Sequence, residues 1–377
     1  MKPIVRAGRM KPVHSDIRGP LFVEAMKRQK QGIDILKLNT GNPATFGFGL
    51  PDSIKNALME HMRDGVGYCD FKGMPQARQA ICDYETSKGI KGITPDDVFI
   101  GNGVSEVVSF ALTPLLNDGD EVLVPSPSYS LWGNSVYLED GKPVFYTCDE
   151  QANWYPDIQD IRSKITDKTK AIVIINPNNP TGVLYPKELL LEIIQIARES
   201  GLLIFADEIY DRLVMDGKQH ISLASLTEDV PVITLNGLSK SHCLCGYRCG
   251  WMVISGPREL TEDYRQGIIQ LTSLRLCANT MAQIVIPAAL DDMETPASMV
   301  RPGGRIYEQR EATVREFEKI DGLSFVKNDA AFYVFPKLDV KKFNITNDKQ
   351  FAHDLLDATN ILLVPGSGFD WKDPDHF

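Results

Sequence analysis

The sequence predicts an α/β protein with a mostly parallel sheet in a large domain, followed by a smaller α+β domain. From Asp97 to about residue 255, strand-like apolar runs alternate with helical segments. These runs are apolar throughout, which is typical of strands buried on both faces of a parallel sheet. After Leu290 short strand-like and helical segments follow without that alternation. We predict an N-terminal arm with part of the small domain at 1–45, the large domain at 46–288 and the small domain at 289–377.

Six segments account for the predicted sheet, and most end in polar or glycine-rich turns. They are 98–103 (VFIGNG), 121–129 (EVLVPSPSY), 170–182 (KAIVIINPNNPTG), 201–210 (GLLIFADEIY), 231–240 (PVITLNGLSK) and 247–254 (YRCGWMVI). Helices are expected at 19–32, in most of 51–89 and at 187–200, where apolar residues recur at helical spacing. In the small domain we predict a helix at 304–320, a strand over AFYVFPKLDV (331–340) and a helix at 348–360.

Composition excludes several classes of protein. The formal net charge of -10 argues against binding a phosphate backbone, which needs clustered Lys and Arg. No apolar run is long enough to span a bilayer, and the first residues lack the apolar core of a secretory signal, so we expect a cytoplasmic protein without a membrane or nucleic-acid partner.

Seven cysteines do not indicate a disulfide framework. Cys243, Cys245 and Cys249 cluster, but their spacing is not that of a zinc site, so we expect buried thiols and no metal.

The polar residues at the predicted strand ends form a chemically coherent set. Carboxyl ends of parallel strands meet at one edge of a sheet, where ligands bind. The set comprises Gly103, Val104, Ser105, Tyr129, Asn179, Asp207, Tyr210, Lys240 and Arg248. A helix starting at Val104 and Ser105 offers N–H groups to a phosphate, and Arg248 can add a cationic clamp. Tyr129 can stack on an aromatic ring.

The same set provides partners for a pyridine ring. Asp207 follows an apolar strand, so its carboxylate needs a cation, and a protonated pyridine nitrogen is one. Asn179 and Tyr210 can hydrogen-bond a phenolate oxygen. Lys240 can form a Schiff base and later act as a general base at a substrate carbon. These groups fit pyridoxal 5′-phosphate.

The motifs GLSKSHCLCGYRCGW, NPNNPTG, ADEIYD and PSPSY resemble, in order and separation, those of class I aminotransferases of fold type I, which depend on pyridoxal phosphate. The resemblance covers essentially the whole chain. Segments such as SDIRGPLFVEA, GYCDFKG, LNGLSK and PGGRIYEQR are similar to the bacterial alanine (glutamate–pyruvate) subgroup. This resemblance implies transamination between an amino acid, such as alanine or glutamate, and a 2-oxo acid, such as pyruvate or 2-oxoglutarate.

The resemblance also implies roles for individual residues. Lys240 would carry the cofactor, Asp207 would pair with its ring nitrogen, and Tyr210 and Asn179 would hold its ring hydroxyl. The phosphate would be bound by Val104, Ser105, Ser239, Arg248 and, from the neighbouring subunit of a homodimer, Tyr68. Gly41 and Asn179 would lie near the substrate carboxylate, Arg18 near its distal end, and Tyr129 on the ring. The family's turns predict cis peptides at Ser126–Pro127 and Asn179–Pro180.

The sequence departs from the family pattern mainly at positions expected to bind the substrate. Ser15 stands where the alanine subgroup often has a Tyr, and Cys243 and Cys249 replace the usual signature residues. In the family an Arg that pairs with the substrate carboxylate follows the segment matching FDWKDPDHF, so we expect the small domain to be truncated here and substrate binding to be weak.

Other classes fit less well. A fold type I β-lyase would share the same cofactor residues, and only the subgroup resemblance favours transamination. A transcription regulator of this fold would need a longer N-terminal DNA-binding module. A dehydrogenase would need G-x-G-x-x-G, and GNGVSE lacks the third glycine. A structural protein would not need these polar groups at the strand ends.

Overall fold

The computed structural model describes residues 2–377. The strands are β1 Leu36–Lys37, β2 Val98–Gly101, β3 Glu121–Ser126, β4 Lys142–Asp149, β5 Tyr155–Pro156, β6 Thr169–Ile175, β7 Leu203–Asp207, β8 Val232–Gly237, β9 Gly250–Ser255, β10 Leu323–Ser324, β11 Lys337–Leu338 and β12 Ile361–Leu362. The helices are α1 Pro20–Lys30, α2 Asp52–His61, α3 Pro75–Ser87, α4 Val104–Leu112, α5 Leu131–Leu138, α6 Ile158–Lys164, α7 Lys187–Ser200, α8 Leu238–Ser241, α9 Arg258–Arg275, α10 Thr280–Ile284, α11 Ile286–Asp291, α12 Glu294–Val300, α13 Arg305–Phe317 and α14 Asp348–Thr359.

An eight-stranded sheet forms the centre of the protein, in the order β2-β9-β8-β7-β6-β3-β4-β5. The five strands from β8 to β4 are parallel to one another, while β9 runs antiparallel to both β2 and β8. The predicted α/β class with a mostly parallel sheet is therefore confirmed.

Both faces of the sheet are buried, which explains the continuous apolar runs. Ile172 and Ile204 pack on one face against Ile193 of α7. Val173 and Phe205, one position further along each strand, pack on the other face in a cluster that includes residues of α4 and α9. Successive side chains of a strand point to opposite faces, so alternate apolar residues of these strands enter the two cores.

The segment 331–340 differs from its predicted strand. Within this stretch only β11 is a strand, and it pairs with β10. Ala331 has φ 61°, in the left-handed region, and its N–H donates to the carbonyl of Leu213 at 2.9 Å. The N–H of Ala331 thus attaches the start of this segment to the loop after β7.

Two elements connect the N-terminal region with the C-terminal segment. Strand β1 pairs in parallel with β12, and α1 packs against α14 in a small apolar cluster. The proposed domain boundaries stay predictions, although this pairing has the form expected if the arm contributes to the small domain.

Among residues 2–377, no single helix has the length and apolar character to cross a membrane, whereas the pair Arg258–Arg275 and Thr280–Asp291, bent by 118°, meets that test jointly.

Candidate active site

The parallel strands bring the predicted site residues to one edge of the sheet. Asp207 ends β7, Gly237 ends β8 directly before the short helix α8 that carries Lys240, and the turn with Asn179 follows β6. Gly250, at the start of antiparallel β9, pairs with both Gly101 and Gly237. The reversed strand β9 therefore brings Arg248 to the same edge.

An anion-binding cradle lies at the N-terminus of α4. Gly103 precedes this helix with φ 87°, and a Cβ there would lie 2.3 Å from Nη2 of Arg248. Nη2 of Arg248 donates to Oγ of Ser105 at 3.2 Å, and Nη1 donates to the Cys245 carbonyl at 3.1 Å. The guanidinium thus lies against the first turn of α4, where free N–H groups and the helix dipole favour a phosphate. Ser239 is half-buried, and its carbonyl accepts a hydrogen bond from Cys245 Sγ at 3.0 Å.

Asp207 is a buried carboxylate, only 5% exposed. Its Oδ2 accepts a 3.0 Å hydrogen bond from Nε1 of Trp132. Burial raises the pKa of Asp207 to about 6, and the Trp132 hydrogen bond acts in the opposite direction. A carboxylate in this environment gains most from a cation placed against it.

The amine of Lys240 lies near two phenols. Nζ of Lys240 donates to the Gly41 carbonyl at 2.9 Å. The hydroxyl of Tyr210 lies 2.9 Å from that of Tyr333 and 3.4 Å from Nδ2 of Asn179, which donates to it. Lys240, Tyr210, Asn179 and Gly41 are therefore brought together, as the sequence predicts.

Tyr129 and Arg18 lie at the rim of this site. Tyr129 is 38% exposed; burial raises its pKa, and the nearby charges of Lys240, Arg18 and Arg248 act against that rise. The arm that carries Arg18 is held in place because the Asn39 side chain donates to the Ile17 carbonyl at 2.7 Å.

Tyr68 stands apart from this group within its own chain. It is 83% exposed, in the loop between α2 and α3.

Two site residues were missed from the sequence. Trp132 follows Tyr129 by three residues in PSPSYSLW and lies in the first turn of α5, whereas Tyr129 precedes that helix. Tyr333 lies in AFYVF, where the aromatic run was interpreted as a strand, and its position depends on contacts distant in sequence. The predicted cis peptides at Ser126–Pro127 and Asn179–Pro180 are confirmed, and Asn176–Pro177 is cis as well.

The three clustered cysteines have separate neighbours. Cys243 Sγ lies 3.7 Å from Met299 Sδ, and Cys249 is buried in an apolar cluster. Burial raises the pKa of both thiols to about 12. Among the described residues, a grouping of possible metal ligands occurs at Glu208, Asp211 and His220, and the ammonium of Lys88 lies 2.8 Å from Glu208 and 3.1 Å from Asp211.

Residues 33–377 match the family described as aminotransferase class I and II. The chain belongs to this family. The aminotransferase is 50% identical to the glutamate-pyruvate aminotransferase AlaA of Haemophilus influenzae over all of this chain and 93% of that protein, and 44% identical to the alanine aminotransferase of Mycobacterium bovis over all of this chain and 88% of that protein. An aminotransferase from Escherichia coli has a similar crystal structure, with a TM-score of 0.98 and 48% identity over all of this chain and 93% of the other. Alanine aminotransferase from Pyrococcus furiosus has a TM-score of 0.92 at 40% identity, over 99% of this chain and 93% of that one.

The aminotransferase depends on pyridoxal phosphate, as its family does, and transfers an amino group between an amino acid and a 2-oxo acid. The residues of the site fit the cofactor: glycine at position 103 lets the Arg248 guanidinium lie against the first turn of α4, and among residues 2–377 no lysine or arginine is hydrogen-bonded to the buried Asp207. A phosphate would bind beside Arg248, and a pyridinium would bind beside Asp207.

Proposed function

We propose that this aminotransferase exchanges amino groups between alanine or glutamate and pyruvate or 2-oxoglutarate, with Lys240 as its catalytic lysine. The observation that carries the assignment of Lys240 is the position of its amine at the edge of the sheet: it donates to the Gly41 carbonyl at 2.9 Å, beside the phenol of Tyr333, whose hydroxyl is 2.9 Å from that of Tyr210. Arg248 lies against the start of α4 at the same edge. The names of the two relatives that are 50% and 44% identical support the choice of substrates.

Each residue acts through a distinct contact in this proposal. Val104, Ser105, Ser239 and Arg248 bind the phosphate, and Tyr129 covers the ring. Asp207 stabilises the protonated ring nitrogen, and Tyr210 and Asn179 bind the ring hydroxyl. The bound cofactor withdraws electrons from the substrate Cα–H bond.

The chain's own groups then handle the proton and the substrate. Lys240 Nζ would accept the proton from the substrate Cα and hold it for delivery to the cofactor as the amino group is transferred. Gly41 and Asn179 contact the substrate carboxylate, and Arg18 lies toward the distal end of the substrate.

The test is a half-reaction followed by absorbance. L-Alanine or L-glutamate should convert the lysine-bound cofactor to its amino form, and pyruvate or 2-oxoglutarate should restore it. Lys240→Ala should keep the cofactor through the phosphate and ring contacts but lose turnover. Ordinary turnover in Lys240→Ala would disprove the assignment. Net release of ammonia would indicate a lyase instead.

We propose further that the active unit is a homodimer in which Tyr68 reaches the partner's phosphate. Tyr68 is 83% exposed, and Met59, Met62 and Val66 beside it are exposed apolar residues. Mixing Tyr68→Ala with Lys240→Ala chains tests this sharply, because a mixed dimer would contain one site with both native residues. Activity should rise above that of either variant alone. If the subunits are shown to exchange and activity does not rise on mixing, the proposal that the two subunits share their active sites is contradicted.

A further inference from the structure

Tyr333 lies at the point where the groups around Lys240 converge. Its hydroxyl is 2.9 Å from the hydroxyl of Tyr210. A Cβ built on Gly41 would lie 2.1 Å from Tyr333 Oη and 3.3 Å from Lys240 Nζ. Glycine at position 41 therefore leaves space for the phenol beside the amine, and any larger side chain there would displace it.

The segment that carries Tyr333 is fixed to the large sheet. The N–H groups of Asp329 and Ala330 both donate to the Gly182 carbonyl at 2.9 Å. Ala331 is fully buried at φ 61°, a conformation uncommon for a residue with a Cβ and maintained only where the surroundings enforce it. The same turn that carries Asn179 thus positions Tyr333.

We propose that Tyr333 is a positioning residue for transamination: its hydroxyl orients the hydroxyl of Tyr210 and confines the amine of Lys240 against the Gly41 carbonyl. The proposal rests on the assignment of Lys240 as the cofactor-bearing lysine.

Several titratable groups surround the Lys240 amine, and their effect on the pKa of this amine allows a test. The titratable ones are Tyr129, Asp207, Cys243, Cys245 and Tyr333. Burial lowers the pKa of Lys240, but Tyr333, followed by Cys245 and Tyr129, raises it, and the net pKa lies above the ordinary lysine value. Removal of the Tyr333 hydroxyl should therefore lower the pKa of this amine.

A purely structural role predicts something different. Tyr333 packs edge-on against Tyr210 and Phe332, with ring centroids 5.8 Å apart in both pairs. Packing requires the ring and not the hydroxyl, so Tyr333→Phe separates the two roles. Tyr137→Phe, which removes a half-buried phenol from α5, is the matched control.

The experiment measures acylation of Lys240 by acetic anhydride in the cofactor-free protein as a function of pH, with the labelled peptide quantified by mass spectrometry. Tyr333→Phe should shift the acylation curve of Lys240 to lower pH, because the hydroxyl that raises the pKa of the amine is gone. In the loaded enzyme, kcat should fall about tenfold with KM little changed. Tyr137→Phe should leave both quantities as in the native protein.

An acylation curve for Tyr333→Phe that superimposes on the native curve, with kcat unchanged, would overturn the proposal. Borohydride reduction of the loaded native protein, followed by peptide mapping, tests the underlying assignment independently. Cofactor found on a different lysine would refute the role of Lys240 itself, whereas cofactor on Lys240 with no effect of Tyr333→Phe would refute only the role of Tyr333.

Discussion

The indole N–H of Trp132 donates a 3.0 Å hydrogen bond to Oδ2 of Asp207, so a residue of α5 stabilises the charged form of the carboxylate that ends β7. Trp132→Phe should raise the pKa of Asp207 further above its value of about 6, by about one unit. Cofactor binding should then weaken about twofold at pH 7 and about tenfold at pH 5, because fewer molecules carry the charge that pairs with the ring. The pH dependence of the cofactor dissociation constant measures this. Trp371→Phe, which removes an indole bonded to Asp375, is the control.

Asp207 should also make the cofactor-free protein pH-sensitive. Its folded-state pKa of about 6 lies above the ordinary value of 3.8, so its contribution to stability is complete below pH 3.8 and is lost as the pH rises to about 6. Above that pH the buried charge costs up to about 3 kcal/mol.

Asp207→Asn should therefore stabilise the cofactor-free protein at pH 8 by about 1–3 kcal/mol while impairing turnover. Urea unfolding at pH 4 and pH 8 measures the effect, with the larger gain expected at pH 8. Asp229→Asn removes an exposed carboxylate whose pKa is lowered by Arg198, and it should produce no gain. Equal stability of the native protein and Asp207→Asn at pH 8 would contradict the proposed cost of the buried charge.

Arg248 should account for much of the affinity for the phosphate. Its guanidinium lies at the first turn of α4, and Lys cannot reproduce its planar paired donors. Arg248→Lys should weaken cofactor binding about 10- to 100-fold, consistent with about 1.5–3 kcal/mol for a charge-assisted bond. Equilibrium dialysis measures this, with Arg258→Lys on α9 as the control. Inorganic phosphate should stabilise the native protein against unfolding more than it stabilises the variant.

The buried ion cluster behind the site should be essential for folding. The ammonium of Lys88 lies 2.7 Å from Glu85, 2.8 Å from Glu208 and 3.1 Å from Asp211. Lys88→Met would leave these carboxylates without that cation, so we expect a loss of about 3–5 kcal/mol in unfolding free energy. Lys91→Met, which breaks an exposed pair with Glu228, should cost far less, because solvent screens that pair. Similar losses in the two variants would contradict this assignment.

The sheet and most of the site could be predicted because both depend on local sequence. Apolar runs identify buried strands, and the residues after them must meet at one edge, which brings Asp207 and Lys240 together. The direction of β9 could not be predicted in this way, since an apolar run does not indicate whether its strand is parallel or antiparallel to its neighbours.

The position of Tyr333 could not be predicted for a different reason. AFYVF has the composition of a strand, but the backbone N–H groups before it bond to Gly182 and Leu213 in other parts of the chain. Such contacts depend on the complete fold. The contact of Trp132 with Asp207 is of the same kind, because the two residues are 75 positions apart in the sequence.

The double hydrogen bond to the Gly182 carbonyl also constrains motion. Residues 329–331 are attached by backbone bonds to the turn after β6 and to the loop after β7, so they must travel with the large sheet. If the small domain swings open to admit substrate, the bending must occur outside these residues. The Tyr210–Tyr333 hydroxyl pair would then keep its geometry throughout opening and closing, and fluctuations on the microsecond to millisecond scale should be confined to the arm and the segments beyond this attachment.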